Sequence, residues 1–136
     1  MELNLKSIEN EIWYVPDVTF EVGDETIVNR DRALEDQIRG RIRLSTRDEK
    51  SKYILVDTYK DIEEEKSSFQ RAKFRYDPCV KKHLLELENL TVNGKPVTNG
   101  AELIALPDCF EISALVMDFF FAINDLTGSQ RLSEKK

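Results

Sequence analysis

Residues 39–49, RGRIRLSTRDE, change backbone period partway along. Arg39, Arg41 and Arg43 alternate with Gly40, Ile42 and Leu44, and a period of two predicts a strand with the arginines on one face and the apolar side chains on the other. Thr46 then stands three residues before Glu49. That is the capping-box spacing, in which each side chain satisfies the other residue's free backbone N–H. Asp48 and Glu49 would lie near the positive end of the helix dipole. A strand feeding a capped helix over 47–57 makes the chain mixed in class, with Tyr53, Ile54 and either Leu55 or Val56 turned inward.

Upstream, EIWYVPDVTFEVGDETIV (11–28) is rich in β-branched and aromatic residues and is interrupted by Pro16 and by Gly23-Asp24. This predicts strands near 11–15 and 18–22 with a turn at 23–25, and a short helix around 31–38. Trp13 and Tyr14 read as core residues or as an anchor on a neighbour. Downstream, residues 58–75 are the most polar part of the chain, and their mixed charges permit a helix or an insertion; we read helix. In YDPCVKKHLLELENL, Asp77 suits an N-cap and Pro78 the first helical position. A helix there would bury Val80, Leu84, Leu85 and Leu87. Asn93-Gly94 is a hairpin turn signal, and Pro96 confines the return arm to an edge. Asn99 then caps a short helix through Leu106. Pro107 or Asp108 starts the last helix, which runs to Asp125 or Leu126 with Gly128 just past its end.

These readings assemble into an α+β fold, with N-terminal short strands, a mainly helical C-terminal two-thirds and a small hairpin near residues 90–98. Residues 1–128 form one domain, 1–45 a β-rich arm or subdomain and 46–128 the helical part. Residues 129–136 form a polar tail.

The last helix carries more apolar surface than one core contact needs. At 100° per residue Glu111, Asp118 and Asp125 share a narrow wedge, and Ile112, Val116, Phe119 and Ile123 form the opposite, core-facing stripe. Phe110, Met117 and Phe121 make a further apolar row on one flank, with Leu115 and Leu126 on the other. Either the helix is central to the domain, or the flank row meets another chain; aromatic residues and Met are enriched in such contacts.

At 136 residues, 40% hydrophobic and 34% charged, the chain suits a single globular domain. It has neither an apolar run of the ~18 residues that span a bilayer nor a signal-peptide pattern at its start. We therefore expect a cytoplasmic protein without a membrane partner. A net charge of −6 disfavours general nucleic-acid binding. The exception is RDRALEDQIRGRIRLSTR (30–47), where six arginines outnumber three carboxylates. Arg39, Arg41 and Arg43 read first as a solvated strand face, next as a site for an acidic partner, and last as a contact for nucleic acid. Cys79 and Cys109 are expected to be reduced core residues, and their spacing with His83 is not that of a zinc site. No nucleophile–base pair, phosphate loop or metal motif is present, so we expect no enzyme, no cofactor and no metal.

Two stretches carry a family resemblance. RIRLSTRDEKSKYIL is similar to the segment of phage tail assembly proteins where a short strand leads into a threonine-capped, Asp-Glu-rich helix. LELENLTVNGKPVTNGAELIALP, with the apolar helix and LTGSQRLSEKK behind it, resembles the second half of many phage tail assembly chaperones. There, a Val-Asn-Gly-Lys-Pro-Val-like hairpin leads to a Leu-Pro step, a final helix and a charged tail. The resemblance spans residues 41–136. It implies a non-enzymatic factor in the host cytoplasm that binds the tape-measure protein and recruits tail-tube subunits, with Phe110, Met117 and Phe121 as candidate contact surface. Two other readings stay open: a structural virion component (baseplate, neck or tail-completion protein), and a nucleic-acid-binding regulator using Arg39, Arg41 and Arg43. A homo-oligomer is compatible with each.

Overall fold

The computed structural model describes residue 1, residues 10–54 and residues 68–125, with side chains in the last stretch from residue 76 onward. The expectations for residues 58–67, Leu55, Val56, Leu126, Gly128 and the tail lie outside the described residues. The architecture is α+β.

The strand read at 39–43 is the centre of the fold. β1 (Glu11–Tyr14) and β4 (Arg39–Arg43) pair antiparallel, and β5 (Leu84–Glu88) pairs antiparallel on the other side of β4. Between Arg41 and Ile42 the register to β5 slips, so Leu85 is an extra residue. The bulge lets Leu84 and Leu87 both bury while Glu86 and Glu88 reach the arginine face. Gly40 and Ile42 are buried, and the three arginines lie half-buried on the opposite side.

In sequence between β1 and β4 comes a separate hairpin of β2 (Thr19–Val22) and β3 (Glu25–Val28), turned at Gly23 with φ 61°. β3 is an addition to the sequence reading, which stopped at the turn. The short helix expected at 31–38 is replaced by two single 3-10 turns, Asn29–Asp31 and Leu34–Asp36. Side chains capture the carbonyls that a helix would use. Gln37 Nε2 donates to the carbonyls of Arg30 and Arg32, and Asn89 Nδ2 donates to those of Glu35 and Gln37.

Helix α1 (Arg47–Ile54) opens on the expected capping box: Thr46 N–H donates to Glu49 Oε1 at 3.0 Å, and Glu49 N–H to Thr46 Oγ1 at 3.2 Å. The helix expected over residues 76–90 is corrected. Helix α2 runs from Ser68 to His83 with Pro78 inside it, so Asp77 is not its N-cap, and Leu84 begins a strand. Leu85–Glu88 alternates at period two after the bulge, and the pairing of its carboxylates with the β4 arginines decides the conformation.

β6 (Thr91–Val92) and β7 (Lys95–Pro96) form the small hairpin, with Asn93 and Gly94 both at positive φ as a type I′ turn needs. Asn99 Oδ1 accepts from Glu102 N–H and caps α3 (Gly100–Ile104). The final helix, α4, spans Phe110–Ile123, starting later than Pro107 or Asp108 because Cys109 is its N-cap residue. Asp125, at φ 57°, takes the left-handed position after it. Helices α2, α3 and α4 pack on one another and on the apolar face of the sheet. The core there holds Tyr14, Ile42, Val80, Leu84, Leu103, Leu115, Phe119, Phe120 and Ile123. Among the described residues no helix is long and apolar enough to cross a membrane.

Candidate functional site

Helix α4 uses its two apolar flanks differently. Leu115, Val116, Phe119, Phe120 and Ile123 are buried, whereas Phe110 is 75% exposed and Met117 37% exposed. The structure brings Phe110, Met117 and Phe121 together with Ser113 and Ala114 along one side of a groove of about 750 Å³. Asp17 and Val18, from the connection between β1 and β2, and Thr19, the first residue of β2, form the other wall. Asp108 and Cys109 close the end where α4 begins.

A part-buried anchor holds the two walls at this separation. Asp118 Oδ2 accepts from Tyr14 O–H at 2.7 Å and from the backbone N–H of Asp17 at 2.9 Å. Burial raises the Asp118 pKa, although both donors favour the carboxylate, and burial, with Asp118 next to it, raises that of the Tyr14 phenol. The Arg30 guanidinium lies over the Tyr14 ring at 5.6 Å and donates to the Val15 carbonyl. Asp118 thus leaves the solvated wedge expected for it with Glu111 and Asp125. The only sequence signal was an isolated carboxylate within an otherwise apolar run.

Phe121 differs from Phe110 and Met117. It is half-buried, and its ring meets Tyr76 at 6.0 Å and Phe120 at 5.8 Å, both edge-on, while Tyr76 stacks on Phe120 at 4.3 Å. Phe110 and Met117 are the side chains that can be changed without touching the core.

The β4 arginines lie on the far side of the sheet, away from the groove-lining residues. Arg39 pairs with Glu88 at 2.9 Å and its guanidinium lies 5.1 Å from the Trp13 ring centre. Arg41 bridges Glu11 and Glu86 across three strands. Arg43 meets Glu49 at 3.2 Å. Each arginine therefore already faces a carboxylate of its own chain.

Arg43 also belongs to a second polar cluster that sequence spacing did not suggest. His83, fully buried at the end of α2, has Nδ1 2.7 Å from the Arg43 carbonyl and Nε2 3.0 Å from the Tyr53 hydroxyl. A carbonyl only accepts, so Nδ1 carries the proton and Nε2 accepts from Tyr53. Glu49 receives Arg43 and Lys82 and lies 3.7 Å from His83 Nε2. Both His83 nitrogens are committed here. Cys79 instead meets Asn124 Nδ2 at 3.6 Å, and burial pushes its thiol up to about 12. Cys79 is in the core as expected; Cys109 is exposed, because it caps α4 at the groove's end. Among the described residues no three His, Cys, Asp or Glu side chains are placed to hold a metal ion.

This cluster sets an acid response. Burial lowers the His83 pKa in the folded state, and the Arg43 guanidinium lowers that of Glu49. A depressed folded pKa means stability that is present above the unfolded value and lost as pH falls. The loss begins below the His83 reference of 6.5 and steepens below the Glu49 reference of 4.5. Asp118, raised on folding, acts oppositely and regains a little in acid. The urea midpoint is expected to fall between about pH 7 and about pH 5, and further below that in the wild type than in Glu49→Gln. A flat midpoint over the first interval would contradict the buried neutral histidine.

No family model, no curated protein and no solved structure matches the chain.

Proposed function

We propose that the chain is a non-enzymatic phage tail assembly chaperone, which holds the tape-measure protein and recruits tail-tube subunits through the α4 groove. The observation that supports a binding role is the exposure of Phe110 and Met117 in an apolar groove whose walls are tied together by Asp118. An apolar surface kept open by a part-buried polar anchor is a surface meant to be covered. The phage assignment rests on the resemblance of residues 41–136. The regulator reading loses support, since Arg39, Arg41 and Arg43 are paired within the chain. The enzyme reading gains none from His83 or Cys79.

The test is a tagged pull-down from cells producing the native particle, with purified particles analysed in parallel. The wild type is expected to retain one very long helical protein together with tail-tube subunits, and to be missing from particles. Phe110→Asp combined with Met117→Asp should reduce that recovery about tenfold, equivalent to about 1.4 kcal/mol. Its thermal melt should stay close to wild type, because exposed substitutions away from caps and networks cost within about 0.5 kcal/mol. Stoichiometric presence in the particle would instead make the chain a structural virion component. Undiminished recovery by the double variant would remove the groove from the function.

A further inference from the structure

We infer that the groove takes an α-helix of a partner protein, with two apolar side chains one turn apart and lysine or arginine on either side of them. This rests on the reading of the groove as a protein-binding surface and specifies its occupant.

The spacing of the groove residues suits a helix. Phe110, Ala114, Met117 and Phe121 follow one another at intervals of four, three and four residues, the a/d rhythm of a helix–helix seam. A knob from a facing helix enters a hole made by four residues at i, i+3, i+4 and i+7. Phe110, Ser113, Ala114 and Met117 make one such hole, and Ala114, Met117, Asp118 and Phe121 make the next; all six line the groove. Ala114 is common to both, and its small side chain leaves the depth that each knob needs.

The charge of the groove selects a basic partner. Asp17, Asp108 and Asp118 line the groove, and among the described residues no lysine or arginine does. Asp17 and Asp108 are exposed. Asp108 stands at the start of α4 and Asp118 ten residues along it, which is about 15 Å on a helix. A partner helix with basic residues about that far apart would set one near each end. A second copy of this chain would bring the same carboxylates against them and a further net charge of −6, so like charges oppose that occupant.

Synthetic helices test this on the full chain. The probe is a labelled peptide of about 18 residues, long enough for helix formation, carrying two leucines four residues apart in an Ala/Gln background with lysines flanking them. Companions replace the lysines with glutamates or the leucines with serines. Fluorescence anisotropy is expected to show the Lys/Leu peptide binding about tenfold or more tightly than either companion, weakening as salt rises from about 50 to about 200 mM. Ala114→Leu, which fills both holes, and Met117→Ser, which removes an apolar wall of both at an exposed site, leave the charge unchanged and should each weaken binding of the lysine peptide, with the fold of each variant checked by circular dichroism. Equal binding of Lys and Glu peptides, or indifference to Ala114→Leu, would overturn the inference. So would a concentration-dependent dimer, seen by sedimentation, that Met117→Glu abolishes. If no peptide binds while the pull-down is still lost in the Phe110/Met117 variant, the helix assignment fails and the binding role stands. If the pull-down is also indifferent to the groove, the binding role itself fails.

Discussion

Asn29→Asp, which exchanges one amide nitrogen for an oxygen, is expected to cost about 3–5 kcal/mol at neutral pH, a large share of a domain's usual stability. Asn29 is fully buried and joins three segments. Its Nδ2 donates to the carbonyls of Pro16 and Ile38, both at 2.9 Å, and its Oδ1 accepts from Ile38 N–H at 2.8 Å. Its own N–H donates to the Val18 carbonyl. In the aspartate variant an oxygen would face two carbonyl oxygens with nothing to donate. Ionised, it is a buried charge beside two negative dipoles; protonated, it offers one donor where two are needed. The folded pKa of the new carboxyl must therefore rise above its unfolded value of about 3.9. A raised folded pKa makes the penalty full above that pKa and smaller as pH falls towards the unfolded value. Urea melts of variant and wild type at matched pH should show the difference between them shrinking from about pH 7 to about pH 5. Asn29→Leu, which leaves the three backbone groups unpaired without a titratable atom, should be as damaging and show no such recovery. A wild-type-like midpoint for the aspartate would mean that the amide is not bonded as described.

That residue also marks where sequence reasoning stops. The legible elements were those whose signals act within a few residues: the alternation of β4, the Thr46–Glu49 box, the Asn93-Gly94 turn and the Asn99 cap. Each is a local backbone requirement met by a local side chain. Residues 31–38 were misread because Asn29 and Asn89 capture carbonyls 9 to 54 residues away, beyond a local window, while Gln37 takes the nearer ones of Arg30 and Arg32. Residues 84–88 were misread as helix because Val80, Leu84 and Leu87 also fit a helical stripe. What decides for strand is the meeting of Glu86 with Arg41 and of Glu88 with Arg39, both about 45–50 residues distant. The same holds at the groove. The flank row of Phe110, Met117 and Phe121 was visible as a helical arc. The wall opposite it was not, since Asp17 and Val18 come from the other end of the chain. Nor did the sequence separate exposed Phe110 from Phe121, whose ring is held by Tyr76.

Phe119→Ala is expected to cost about 3–5 kcal/mol, and its effect should couple to that of Gly40. Phe119 is fully buried, with its ring edge-on to Tyr14 at 5.9 Å. The ring reaches the sheet because β4 presents no side chain there: a Cβ on Gly40 would lie 2.9 Å from Phe119 Cε1 and 2.6 Å from Leu84 Cδ1. Gly40→Ala alone must displace one or both neighbours, and overpacking of this kind costs about 1–3 kcal/mol. In the Phe119→Ala background half of that collision is gone and the new methyl enters the cavity. The double variant should then be more stable than the sum of the single effects by about 0.5–2 kcal/mol, read from urea midpoints at unchanged slope. Strict additivity would mean that the Leu84 contact carries the whole cost and that α4 does not rest on Gly40. The coupling bears on the groove as well. Tyr14 presses its ring on Phe119 and gives its hydroxyl to Asp118 one residue earlier, so the contact that seats α4 on the sheet also aims the anchor that spaces the groove walls. Loss of Phe119 should therefore weaken partner binding even under conditions where the variant is folded, whereas Phe110→Asp should weaken it with the core intact.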